Sequence, residues 1–271
     1  MDWSRAKNII LIVLVLLNIF LFVNILSVKD PLNLAGQYQV DAKQALQSAG
    51  VVLSSGISFK RSKPLGRISY IETDPAVYTE TIRRLIGPFD GTDTALWEKE
   101  GKSLSFQDEF FIYTDEAGQE IFPVEDQKRL DRRLSAWIKE NFLPNERFIQ
   151  DRFEQDGNTI TARYIRCYKN MPLFSHGISL TIVDGKLKKA EGSLKIFQTI
   201  KVSTSADEII TANIAMITNK DKVQGIVNSI ELGYLCLQSD DLYDTPVWRI
   251  TLATGENVWF NAYTGEYLRS D

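Results

Sequence analysis

Residues 178–197, ISLTIVDGKLKKAEGSLKIF, decide the fold class. Two strand-forming runs flank Asp184-Gly185, and this dipeptide suits a two-residue hairpin because both central residues of a type I′ turn need positive φ. FIQDRFEQDGNTITARYIRCY (148–168) predicts the same device at Asp156-Gly157. Farther out, KSLSFQDEFFIYTDEAGQEIF (102–122) has two β-rich runs around Asp115-Glu116-Ala117-Gly118, another hairpin pattern. The chain closes with ELGYLCLQ (231–238) and VWRITLATGENVWFNAYTGEYL (247–268), where Thr254-Gly255 and Thr264-Gly265 punctuate aromatic-rich strands.

Helical signals lie between these runs. DAKQALQSAG (41–50) reads as a short helix stopped by Gly50, with VVLSSGISF (51–59) extended after it. ISYIET (68–73) suits a strand, and Pro75 opens a helix that stops at Gly87-Pro88. From Glu125, the residues Leu130, Leu134, Trp137, Ile138 and Phe142 lay one apolar stripe along a helix that Pro144 ends. A further helix is expected from Ser205, with Glu208 completing a capping box, through ADEIITANIAMIT (206–218). Helices beside runs of antiparallel strands define an α+β class. The sequence divides into a cytoplasmic stub (1–8), an apolar run (9–28), a linker (29–40) and two α+β units, 41–143 and 144–271, with the boundary at Pro144.

The run Ile9–Val28 is long enough to cross a bilayer as one helix, since twenty residues rising about 1.5 Å each reach roughly 30 Å. Arg5 and Lys7 precede it while Lys29 and Asp30 cancel after it, so the amino terminus is expected in the cytosol and the remainder outside. The exit Ser27-Val28-Lys29-Asp30-Pro31 lacks the small-residue pattern of a cleaved signal, which favours an uncleaved single-pass anchor. Asn18 stands at the middle of this run, where an amide is costly and turns toward a neighbouring helix or water. With Leu11, Leu14, Val15, Leu21, Phe22 and Ile25 it forms the candidate partner-contact face.

Composition narrows the chemistry. A net charge of −4 offers no phosphate-tracking surface, so nucleic acid is not an expected partner. The basic cluster Lys128, Arg129, Arg132, Arg133 alternates with acids as a solvated helix face does. There is one histidine, His176, expected at a turn or strand edge, and it gives neither a triad nor a zinc ligand set. The two cysteines, Cys167 and Cys236, sit in apolar strand-like segments, where they either pair or act as small hydrophobes. Asp108 with Glu109, or Asp240 with Asp241, would be needed for a glycosidase pair, and SDDLYD (239–244) lacks the order and glycine of a calcium loop. The aromatics Phe110, Phe111, Tyr113, Trp248, Trp259, Phe260, Tyr263 and Tyr267 are spaced as core packing. No enzyme activity and no cofactor or metal is expected.

Several blocks taken in order, MDWSRAK (1–7), LNIFLF (17–22), MPLF (171–174), ISLTIVDGKL (178–187), SIELGYLCL (229–237), PVWRI (246–250) and NAYTGEYL (261–268), resemble the YycI (WalI) family. Its members are membrane-anchored accessory regulators of the essential YycG (WalK) histidine kinase of Gram-positive bacteria. The resemblance implies an extracytoplasmic α+β fold related to the distal domains of YycH. It also implies a complex in which the transmembrane helices of YycI, YycH and the kinase touch and adjust a two-component system controlling cell-wall metabolism, with no catalytic residues. The closing VWRI and NAYTGEYL are similar as well to the end of a PepSY-type module, which implies the alternative of an exported binding module acting on a peptidase or wall-lytic enzyme.

Overall fold

A computed structural model describes residues 13–19, 21, 31–59, 62–71, 74–88, 96–107, 110–121, 126–238 and 241–271. Its first half holds α1 (Pro31–Ser48), β1 (Val52–Leu53), β2 (Ile68–Ile71), α2 (Pro75–Leu85), β3 (Leu96–Lys99), β4 (Lys102–Gln107), β5 (Phe110–Glu120) and α3 (Gln127–Asn141). The second half continues with β6 (Arg147–Asp156), β7 (Thr159–Tyr168), β8 (Met171–Val183), β9 (Lys186–Ser193), a single 3-10 turn (Leu194–Phe197) and β10 (Thr199–Val202). It closes with α4 (Ala212–Thr218), β11 (Ile226–Leu235), β12 (Tyr243–Leu252), β13 (Asn257–Asn261) and β14 (Tyr267–Ser270). The class is α+β, as expected.

The strands form two antiparallel arrays. One runs β3-β4-β5-β9-β8-β7-β6. The other runs β11-β12-β13-β14, with β1 added in parallel to β11. A parallel bridge between Tyr234 and Leu173 joins β11 to β8 and makes the arrays one sheet. Strand β2 lies between β10 and the start of β12 at that seam.

Each array has its own apolar core. Beneath α3, the buried Leu130, Leu134, Trp137 and Ile138 meet Leu104, Tyr113, Leu180, Ile182 and Leu187. Asp126 caps this helix by accepting from Lys128 N at 3.0 Å, and satisfying a donor at a helix start in this way is typically worth about 1 kcal/mol. The second core collects Ala42 and Leu46 of α1, Ala215 and Met216 of α4, and Trp248, Ile250 and Phe260 of the other array. Tyr38 OH donates to Asn213 Oδ1 at 2.8 Å, tying α1 to α4.

Four sequence expectations are corrected here. The boundary at Pro144 coincides with no break, because β5 pairs with β9 across it and α3 packs on that same array. Residues 31–40 are the first turns of α1 rather than a linker, and α1 packs with the carboxyl-terminal array. No turn occurs at 115–118: β5 continues through a bulge, where Asp115 Oδ1 accepts from Gly118 N at 2.9 Å with Gly118 at φ 73°. The last helix starts at Ala212 instead of Ser205, since Asp207 exchanges backbone hydrogen bonds with Leu65 and Ile210 N donates to Ala262 O. Those pairings hold 207–210 in extended chain.

Residues 13–19 and 21 are helical and exposed; the remainder of the Ile9–Val28 run lies outside the described residues. Among the described residues, no helix is long and apolar enough to cross a membrane.

Candidate functional site

Strand β8 borders both arrays, and its one histidine lies at the seam. His176 is 3% exposed, well inside a strand, which corrects the turn or strand-edge placement. Its Nε2 is 3.2 Å from Asp244 Oδ1 and 3.1 Å from Oδ2, and Asp244, 1% exposed, begins β12. Tyr70 OH on β2 donates to Asp244 Oδ2 at 2.6 Å, and its ring meets the imidazole edge-on at 4.9 Å. On the other side of the imidazole, Ser193 Oγ at the end of β9 is 3.4 Å from Nδ1. One assignment satisfies every group: Nε2–H donates to Asp244, and Nδ1 accepts from the Ser193 hydroxyl. Burial, and then the Asp244 carboxylate, push the Tyr70 hydroxyl far above the ordinary tyrosine pKa.

The order serine, histidine, aspartate is that of a nucleophile relay. Three features describe its setting in the sheet. Ser193 Oγ already accepts the Lys195 amide at 3.2 Å, its distance to the ring is long, and Asp244 is held by Tyr70 as well as by His176. The chain of contacts fastens β2, β8, β9 and β12 together. Nearby, Arg166 is 5% exposed and grips Glu146 through Nε at 3.1 Å and Nη2 at 2.8 Å, with Nη1 donating to Gln198 O at 2.8 Å. Arg249 of β12 pairs with Asp151 of β6 and with Glu231 of β11, and lies 4.4 Å from the centre of the Phe174 ring. Burial pulls its pKa down, but the two carboxylates outweigh that and raise it.

Beside the tie, a groove of about 420 Å3 opens on the array formed by β4, β5, β7, β8 and β9. A register row crosses it, Arg163 to Ser179 to Glu191 to Ile112, and Ser193 pairs with Phe110 in the next row. Ser175 and Gly177 complete the β8 portion of the wall. Gly177 and Gly192 are required here: a Cβ on the first would lie 2.4 Å from Tyr164 O, and on the second 2.3 Å from Gly177 O. Arg163 Nη2 donates to Phe174 O at 2.9 Å, and Glu191 is 2.6 Å from Lys189 Nζ. Phe110 is 59% exposed, unlike Phe111, Tyr113, Trp248, Trp259 and Phe260, which are buried as expected of core aromatics.

Of the expected partner face, Leu14, Val15, Asn18 and Leu21 lie on the described helical residues and are exposed, while Leu11, Phe22 and Ile25 lie outside them. Asn18 Nδ2 donates to Leu14 O at 3.0 Å, so one of its donors is satisfied within its own helix. Asp108, Glu109 and Asp240 are outside the described residues; Asp241 Oδ2 accepts from Gln238 N at 3.1 Å. Within SDDLYD the last acid, Asp244, is the seam anchor. Cys167 and Cys236 form no disulfide, and burial raises the Cys167 thiol pKa. Sequence reasoning missed the seam and the groove. Alternating small residues Ser175, Gly177 and Ser179 were the available signal for the groove.

No family model matches the chain, and no curated protein is significantly similar to it. Among solved structures, the chain is similar to the Bacillus megaterium YpeB C-terminal domain, at 11% identity and a TM-score of 0.43, over 86% of this chain and 96% of that chain.

Proposed function

We propose that the chain is a membrane-anchored, non-enzymatic accessory regulator that binds stoichiometrically to a sensor histidine kinase of the YycG type, together with a YycH-type protein, with its bulk outside the cytosol. The observation carrying this reading is the ordered set of sequence blocks that resemble the YycI family. Four of those blocks, though scattered in sequence, are successive neighbours in the sheet: MPLF meets SIELGYLCL at Leu173 and Tyr234, PVWRI pairs with SIELGYLCL, and NAYTGEYL begins on β13 beside PVWRI. Their position side by side in one sheet supports reading these blocks together.

The apolar run supplies the contact. Besides the N–H given to Leu14, the Asn18 amide has a second N–H and a carbonyl oxygen for a neighbouring helix. A regulator shifts a two-state kinase only through a difference in contact free energy, and a coupling of about 1 to 3 kcal/mol changes output several-fold. The test is to replace Asn18 by Leu, and separately residues 9–28 by an unrelated transmembrane helix, and to measure co-purification with the kinase and its signalling output. Loss or change of regulation in both is expected. Full regulation with the foreign helix would sink the reading and favour the exported module that acts on a peptidase or wall-lytic enzyme.

A further inference from the structure

We propose that the groove across β5, β7, β8 and β9 is a binding site for a neutral oligosaccharide. The inference stands apart from the transmembrane contact and neither needs it nor lends it weight.

The character of the groove selects the ligand. Its two charged walls are neutralised within the protein: Arg163 is 3.7 Å from Asp151, and Glu191 is paired with Lys189. The charges that line the groove therefore already have partners of opposite sign within the protein. An extended peptide needs unpaired backbone N–H and C=O groups at a strand edge. The wall strands offer no run of them: β5 and β7 are paired on both sides, and β8 and β9 pair with each other over Ile178–Val183 and Lys186–Gly192, which leaves only Ser175–Gly177 and Ser193 without a partner across that boundary, too short a stretch for a strand to add. Recognition must come from side chains, and those present are hydroxyls, a carboxylate, a guanidinium and one amide, with the exposed flat ring of Phe110 at the rim. Planar polar groups matched to a ligand that both donates and accepts at many hydroxyls, beside an aromatic face for its C–H surface, fit a sugar chain. The volume of about 420 Å3 falls in the range of roughly 300 to 1,000 Å3 usual for ligand sites. Gly177 and Gly192 let the wall strands pack this closely, since neither strand can carry a Cβ there without meeting a backbone carbonyl.

The seam supplies a reporter. Ser193 lines the groove and is also the Nδ1 partner of His176. A ligand hydroxyl that engages Ser193 changes the hydrogen bond at Nδ1, and the chain has no other histidine to obscure the signal.

The experiment titrates the full-length, isotope-labelled protein in detergent with chitotetraose, cellotetraose and, as the peptide probe, tetra-alanine, following the imidazole resonances of His176 by NMR. A saturable shift with at least one of the sugars and none with the peptide is expected. Phe110→Ala, whose exposed ring leaves the thermal midpoint unchanged, should weaken the apparent affinity about two- to tenfold, the worth of one aromatic contact. Glu191→Gln should weaken it further while keeping its size and hydrogen-bonding shape. The proposal is overturned if neither sugar moves His176, if tetra-alanine moves it equally, or if both variants bind as the parent does.

Discussion

The apolar core under α3 and the polar seam between the arrays are both buried, yet they hold the molecule by different rules. In the core, Leu134 and Ile138 are fully buried against Leu104, Leu180 and Leu187, and these aliphatic side chains need no particular partner. At the seam, Tyr70, His176, Ser193 and Asp244 each satisfy a specific donor or acceptor. Dispersion and water exclusion depend on volume, whereas a buried hydrogen bond depends on identity and direction. The core should therefore forgive changes of chemistry that keep shape, and the seam should not.

The largest effect belongs to the core. Leu134→Ala leaves a cavity beneath α3 and should lower unfolding free energy by about 2 to 5 kcal/mol in urea titrations, whereas Leu134→Met should cost less than about 1.5 kcal/mol. A smaller loss comes at the seam, and similarity of shape does not prevent it. His176→Phe keeps a ring of similar outline but removes one donor from Asp244 and the acceptor from Ser193, at a cost of about 1 to 3 kcal/mol. If His176→Phe proved as mild as Leu134→Met, the seam would be ordinary packing and the contrast would fail.

The same difference governs what could be read in the sequence. The α3 stripe and the Asp184-Gly185 turn were legible because each is local: the stripe repeats at helical spacing, and both turn residues adopt positive φ, 51° and 75°. At the second expected turn the hairpin forms, but its central residues are Gly157 and Asn158, and only Gly157, at 56°, is positive. The turns at Lys169-Asn170 and Glu100-Gly101 escaped notice since lysine and glutamate at positive φ leave no compositional mark. Asp115 and Gly118 are ordinary turn residues, and the chain spends them on a bulge. The seam was illegible for a different reason. Tyr70 and Asp244 are separated by 174 positions, and His176 and Asp244 by 68, so their contact exists only after both arrays have formed.

Alkaline pH gives a graded probe of the seam, acting through its tyrosines. Burial, first, and then the neighbouring Tyr263 and Tyr168 push the Tyr234 hydroxyl up to about 12, while Tyr70 is pushed higher still. In the unfolded chain these groups ionise near pH 10. Below that value both states hold the proton and pH has no leverage through them. Between pH 10 and 12 the folded state keeps protons that the unfolded state has released, so stability is complete below pH 10 and falls as pH rises through the folded pKa. One such tyrosine contributes a slope of about 1.4 kcal/mol per pH unit in that window. Tyr234→Phe should flatten the decline by that amount in denaturant titrations at pH 10, 11 and 12, leaving the curve below pH 9 with the same slope as the parent. Tyr113 is also pushed above its ordinary value, chiefly by burial, but it lies in the core rather than at the seam, so Tyr113→Phe should flatten the curve while His176 resonances stay fixed. A shift of the His176 signal with Tyr113→Phe would mean that core and seam are coupled rather than independent.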